Sequence, residues 1–232
     1  LECYLAGLIY GDGYYREGPS GYLIGIATGR DVEVLYPIIK SFFKTARQST
    51  KGDVIISNKV HFKYFTKYYP KKNSHNLRVP EKIWRGTIEE IRSFLAGVLD
   101  SDGSYHSDRI TISSVCEDWI LDLQILANSI GSFGIIRRTE RATNYSDNSI
   151  MYNLDIFSNE SVMNFPKGFL PRKNNRRQKQ FTQCRTEFVP YELVEEFKGK
   201  GVKSRFFTNG ERKLRVTRES IRLLNDTDLS ET

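Results

Sequence analysis

The chain of 232 residues carries 35 Lys and Arg against 28 Asp and Glu, a formal net charge of +7 that suits a polyanionic partner. Its length allows one domain or two small ones with a real core, and 13 Tyr and 14 Phe exclude a basic disordered tail. No apolar run approaches the roughly 20 residues that span a membrane and no signal peptide is visible, so membrane partners are not expected. Cys3, Cys116 and Cys184 are widely separated, and His61, His75 and His106 lack ligand spacing. A disulfide framework and a zinc site are therefore not expected, and the thiols read as buried in a reducing, intracellular compartment.

The chain opens at Leu1 without Met and reads as an excised piece of a longer protein. Its first element is Leu5-Ala6-Gly7-Leu8-Ile9-Tyr10-Gly11-Asp12-Gly13. Leu5, Leu8 and Ile9 fall at helical spacing, and Gly7 and Gly11 share another stripe. Gly13 is expected to stop this helix in the left-handed C-cap conformation. Tyr22–Ala27 reads as a strand, and Thr28 or Asp31 caps a helix running to about Ala46. Val54–Ser57 is a second strand and Val60–Tyr68 a short helix. A basic loop follows, Lys71-Lys72-Asn73-Ser74-His75, and then Pro80.

At Thr87 the order starts again. Thr87-x-x-Glu90 has the form of a capping box, and it leads into Leu95-Ala96-Gly97-Val98-Leu99-Asp100-Ser101-Asp102-Gly103. This copy repeats the small residues, the Asp and the Gly of the first, 90 residues downstream. Arg109–Ser114, Gly134–Thr139 and Met151–Phe157 read as strands, Glu117–Ile130 as an amphipathic helix and Ser161–Phe165 as a short one. The basic run 170–179 closes the repeat, with Pro171 lying as far from Asp102 as Pro80 from Asp12, to within one residue. The resulting class is α+β, with two antiparallel sheets. The expected division is 1–86, 87–188 and an extension, 189–232, without a first-half counterpart. In the extension 190–198 and 217–225 look helical and 199–203 is a basic turn. It packs on the second repeat, touches a partner, or begins a further domain.

One motif alone is explained by an ordinary core helix with a Gly stop. Two matching copies are not. Asp12 and Asp102 each sit at a helix C-terminus, where the macrodipole already disfavours negative charge by about 0.3–1 kcal/mol. Pairing the helices through their small-residue faces brings the carboxylates together, an arrangement that a divalent cation explains and packing does not.

The two nonapeptides resemble the signature motifs of the LAGLIDADG homing endonucleases in their single-chain, two-repeat form, over about residues 1–185. The resemblance implies two pseudo-symmetric αββαββα halves, paired motif helices at their interface, and a saddle that holds double-stranded DNA. It implies a monomeric endonuclease that cuts a long, pseudo-palindromic target with a staggered break. Asp12 and Asp102 match the eighth motif position and would bind Mg²⁺, for which Mn²⁺ substitutes; the carbonyls of Gly11 and Ser101 are further ligand candidates. The sixth position departs, with Tyr10 in one copy and Asp100 in the other. The family's basic residue matches Lys173 in the second half. In the first half Lys72 and Arg78 both qualify and Lys72 is favoured. Groove-facing candidates for DNA are Tyr22, Arg109, Thr111, Ser113, Arg137, Thr139, Tyr152 and Asn153, with Lys71, Arg78, Arg172, Arg176 and Arg177 added on charge. Other uses of such a fold are an RNA-intron maturase and a non-cleaving regulator; retention of both Asp argues against the second. The second motif with Val79-Pro80, Leu123-Gln124-Ile125-Leu126 and Ile130-Gly131 looks like the intein-borne branch. Yet a nucleophile at position 1, a Thr-x-x-His and a terminal His-Asn are missing. Protein splicing is therefore not expected of this stretch, and an intron-encoded source stays open.

Overall fold

The computed structural model describes residues 1–19, 21–50, 52–106, 109–143, 146–157, 159–171 and 173, with two short paired strands at 186–188 and 215–217. Two long helices form its centre, α1 (Glu2–Asp12) and α5 (Ile88–Asp102). From Cys3 to Tyr10 every residue of α1 is buried, as is Phe94–Asp100 of α5. These helices are enclosed on all sides rather than amphipathic, as befits elements with protein on every face. The start of α5 is fixed by the capping box: the Thr87 hydroxyl accepts from the Glu90 N–H, and the Glu90 carboxylate accepts from the Thr87 N–H.

The helices touch through backbone. A Cβ added at Gly7 would lie 2.2 Å from the Phe94 carbonyl oxygen, and one at Gly97 would lie 2.0 Å from that of Tyr4. One turn on, a Cβ at Gly11 would meet the Ser101 Oγ at 2.0 Å. The expected small-residue stripes are thus the contact surface.

Each motif helix runs straight into a strand. Gly13 (φ −106°, ψ 169°) and Gly103 (φ −80°, ψ 150°) are extended, not left-handed. Glycine is needed there for room: a Cβ would sit 2.8 Å from the Ile9 carbonyl oxygen at Gly13 and 2.6 Å from that of Leu99 at Gly103. The strands β1 (Gly13–Gly18) and β5 (Gly103–Tyr105) therefore begin where the helices stop.

The two halves share one topology. In the first, β1, β2 (Gly21–Ala27), β3 (Ala46–Gln48) and β4 (Asp53–Ile56) form an antiparallel sheet in the order β1-β2-β4-β3. In the second, β5, β6 (Ile110–Ser114), β7 (Ile135–Thr143) and β8 (Ser146–Ile156) form one in the order β5-β6-β8-β7. Helices α2 (Val32–Phe42) and α3 (Lys59–Tyr68) complete the first half, α6 (Glu117–Ser129) and α7 (Asn159–Asn164) the second, and short α4 (Glu81–Trp84) leads to α5. Ile24, Ile26, Val54 and Ile56 on one sheet, and Ile110, Ile112, Leu154 and Ile156 on the other, are buried beneath the helices. No described helix is long and apolar enough to cross a membrane.

Strand parity moves two groove candidates. Tyr22 falls in step with Ile24 and Ile26, and Tyr152 with Leu154 and Ile156, so both pack on the apolar core. Tyr22 lies 5.2 Å from the Phe62 ring on α3. A strand alternates strictly, and the apolar partners two residues on decide the side. Arg172, the run 174–179 with Arg176 and Arg177, Cys184, and the elements expected after residue 188 lie outside the described residues, apart from Thr217, which ends a short strand.

Replacing Gly97 by Ala forces the helices apart, since the colliding atoms are backbone. We expect a loss of about 1–3 kcal/mol or more in a urea melt. An unchanged midpoint would mean that α1 and α5 do not touch here.

Candidate active site

Because the helices cross at Gly7 and Gly97, their C-terminal ends emerge side by side. Asp102 Oδ2 would lie 3.0 Å from a Cβ at Gly11, so the missing side chain makes room for the opposite carboxylate. Asp12 and Asp102 are both exposed, and Asp102 lines a cleft of about 570 Å³. That cleft is lined by Gly11, Gly13, Lys71, Lys72, Asp102 and Ser113, among others.

Two ammonium groups flank the carboxylates in matching fashion. Lys173, 6% exposed, donates from Nζ to the carbonyl oxygens of Leu99 (2.7 Å), Asp100 (2.8 Å), Ser101 (3.3 Å) and Gly103 (2.7 Å). Lys71 donates to those of Ile9 (2.8 Å), Gly11 (3.0 Å) and Gly13 (2.6 Å). Each lysine fills the negative end of a motif helix, where four carbonyls lack partners within the helix. The first-half counterpart of Lys173 is therefore Lys71, and Lys72 is exposed. The same geometry corrects the expected proline equivalence: Pro70 precedes Lys71 and Pro171 lies just before Lys173, whereas Pro80 starts α4.

The charges shift one another. Partial loss of solvent and then the Asp12 charge push the Asp102 carboxyl up to about 6, against the pull of Lys71 and Lys173. Loss of solvent also raises Asp12, against Lys173 and Lys71. Burial lowers the Lys71 ammonium to about 8, although Asp102 and Asp12 hold it up. Four groups that would normally be fully charged at neutral pH are thus compressed together, an arrangement common in sites that bind a further ion or do chemistry.

The donor set suits a hard divalent cation. Two carboxylates and the neighbouring Gly11 and Ser101 carbonyls are oxygen ligands, the kind Mg²⁺ and Mn²⁺ accept. The Gly11 and Ser101 carbonyls already accept from lysine, but each oxygen has a second lone pair. No group of three or more His, Cys, Asp or Glu is gathered among the described residues. Two carboxylates supplemented by water and a substrate phosphate is the usual way Mg²⁺ is held.

At the sixth motif position the halves differ in chemistry. The Tyr10 hydroxyl donates to the Pro70 carbonyl at 2.7 Å. Asp100 is buried; its Oδ2 accepts from the N–H groups of Phe169 (2.5 Å) and Leu170 (3.3 Å) and from the Tyr4 hydroxyl (2.8 Å).

Beyond the cleft, the outer face of the second sheet carries a polar ladder. Asp155, fully buried, accepts from the Thr111 hydroxyl at 2.5 Å and from the Arg137 Nε, with the Arg109 Nε at 3.9 Å. The Ser113 hydroxyl donates to Asn153 at 2.6 Å, and Asn153 donates to the Thr139 hydroxyl at 3.1 Å. The expected residues Arg109, Thr111, Ser113, Arg137 and Thr139 thus share one face with Asn153, organised by Asp155, which the sequence reading missed. Arg78 lies elsewhere. It forms two hydrogen bonds to Asp122, at 2.8 and 2.9 Å, tying the α3–α4 connection to α6.

Asp102→Asn removes the mutual repulsion from the apo protein. The folded-state pKa near 6 lies above the ordinary 3.8, so the ionised carboxylate costs stability fully above pH 6 and not at all below about pH 4. The variant should melt higher than the parent at pH 8, with the gap closing toward pH 4. A gap independent of pH would contradict the placement of this carboxylate.

Residues 89–167 match a family model described as a LAGLIDADG-like domain. The chain is 26% identical over 217 residues to elongation factor 2 of Methanopyrus kandleri, and 31% identical over 112 residues to a DNA polymerase of Thermococcus hydrothermalis. The matches cover 88% and 43% of this chain but only 16% and 6% of those proteins, so it spans less than a fifth of either. Among solved structures, the homing endonuclease I-DmoI in complex with DNA and Ca superposes with a TM-score of 0.54 at 16% identity, over 76% of this chain and 96% of that one. That likeness concerns the fold.

Proposed function

We propose that this chain, whose residues 89–167 match a LAGLIDADG-like domain, is a homing endonuclease of that family, a site-specific enzyme that makes a staggered double-strand break in a long, near-palindromic DNA target. The observation that carries this reading is the pairing of Asp12 and Asp102 at abutting helix ends, each beside a lysine ammonium and each opening a sheet. Two like carboxylates at two negative helix ends destabilise an empty protein. They gain a purpose when a cation and a phosphate arrive. Asp12 and Asp102 would hold Mg²⁺, or Mn²⁺ in its place, with the Gly11 and Ser101 carbonyls as further ligands. The cation would supply Lewis-acid stabilisation of charge on the scissile phosphate and on the attacking water.

The protein's own residues do the rest. Lys71 and Lys173 set positive charge beside each carboxylate and offset the charge that develops on the phosphate. The outer sheet face, with Arg109, Arg137, Ser113 and Thr139 held over the buried Thr111, Asn153 and Asp155, lies against the major groove and reads base edges. Arg172, Arg176 and Arg177 add charge for backbone contacts. Because each half brings one Asp and one Lys, a monomer serves both strands. It acts inside the cell, where its target lies. An elongation factor and a DNA polymerase share no activity, yet the same kind of segment matches a small part of each; this favours an intein-type insertion.

The test is cleavage of supercoiled plasmids carrying uninterrupted elongation-factor and polymerase gene segments, in Mg²⁺. The unaltered protein should linearise a cognate plasmid. Asp12→Asn and Asp102→Asn should each abolish double-strand cleavage, with rates down by orders of magnitude, while binding without metal holds or tightens. Should both still linearise the plasmid at the parental rate, the metal assignment fails.

The two neighbouring lysines provide a second check. Lys71→Met should lower cleavage by about 10–100-fold, as loss of one charge-stabilising donor does, whereas Lys72→Met should stay within a few-fold. The reverse ranking would restore Lys72 to the site.

A further inference from the structure

The sixth motif residue is buried in both halves, yet in both it reaches the segment that delivers the lysine. Tyr10 donates to the carbonyl of Pro70, the residue just before Lys71. Asp100 accepts from the N–H groups of Phe169 and Leu170, and the Lys173 N–H in turn donates to the Leu170 carbonyl at 3.1 Å. A phenol that donates meets a carbonyl, and a carboxylate that accepts meets two N–H groups. The chemistry is reversed and the target is the same.

The fit around Asp100 is close. A Cβ on Gly168 would lie 2.1 Å from the Asp100 carboxylate carbon, so the loop backbone lies directly on the carboxylate. Tyr4 secures both partners, through its hydroxyl on Asp100 (2.8 Å) and its ring edge on Phe169 (centroids 4.6 Å). Tyr4 belongs to α1, so the second-half loop is held partly by the first-half helix. Tyr10 likewise stacks on Trp119 of α6 at 5.3 Å while its hydroxyl holds Pro70.

On the reading proposed above, we infer that Tyr10 and Asp100 are positioning residues, each latching the loop that sets one active-site lysine, and hence each governing one of the two strand cuts. A latch that is merely structural lowers the folded fraction and slows both strands alike. A positioning latch slows one. Displacing a reacting group by about 1 Å costs on the order of 100-fold in rate, so a partial displacement predicts about tenfold on the affected strand.

The experiment uses the full chain with Tyr10→Phe, Asp100→Ala and Asp100→Asn, the last retaining an acceptor oxygen. In metal-free protein, acetylation of lysines by an N-hydroxysuccinimide ester is followed residue by residue by mass spectrometry. Tyr10→Phe should expose Lys71 and leave Lys173 protected, and Asp100→Ala should do the opposite. With a strand-labelled cognate duplex in Mg²⁺, the two variants should slow opposite strands by about tenfold and accumulate nicked product, and Asp100→Asn should recover most of the loss. Tyr10→Phe keeps the ring and the fold, so the idea is decided even if Asp100→Ala does not fold. Equal slowing of both strands, or unchanged labelling of Lys71 in Tyr10→Phe, overturns it. The labelling needs no DNA. A parental protein that cuts nothing therefore removes the endonuclease reading, while the latches still stand or fall on lysine protection.

Discussion

Everything in this molecule depends on two helices whose backbones touch. At Gly7 and Gly97 there is no space for even one carbon between the chains. Two-helix contacts through larger side chains hold the axes 8–10 Å apart; here the approach is closer, and the C-terminal ends consequently share one small volume. The proximity of Asp12 and Asp102 and the exchange of side chains across the halves by Tyr4 and Tyr10 both follow from that contact.

The lysines show how the same constraint is reconciled with electrostatics. Two helix C-termini side by side gather unpaired carbonyls and two carboxylates, all negative. Lys71 and Lys173 answer this by reaching into the helix ends rather than into solvent. Asp155 presents the opposite case on the sheet: a buried carboxylate beneath the face that carries Arg109 and Arg137. There the anion holds a guanidinium by its Nε and fixes its orientation.

Much of this was legible in the sequence, for identifiable reasons. Small residues four apart in two copies gave the helix pair, and Thr87 with Glu90 gave the start of α5, because both are local patterns with one physical solution. The terminal glycines were legible as glycines but not for their reason. A left-handed cap and an extended residue pressed against its own helix both demand glycine, and only the backbone angle separates them. Strands β1 and β5 were missed because they start with no intervening turn. Tyr22 was misplaced by parity, since a single step along a strand exchanges core for surface. Lys71 and Lys72 are adjacent and chemically identical; what distinguishes them is the set of carbonyls within reach, which no local pattern encodes. Asp100 and Tyr10 read only as a departure between the two copies because their partners lie 60 to 70 residues away.

The duplicated halves are not equal in reach. The β3–β4 hairpin is built from strands of 3 and 4 residues, whereas β7 and β8 have 9 and 11. At roughly 3.3 Å per residue the longer arm extends about 30–36 Å and the shorter about 10–13 Å. Laid along a groove with base pairs every 3.4 Å or so, one arm spans about nine or ten steps and the other three or four. On the endonuclease reading proposed above, the footprint would be lopsided, with more base pairs under β7 and β8 than under β3 and β4. On that reading, base changes under the short arm would cost less recognition than base changes under the long one.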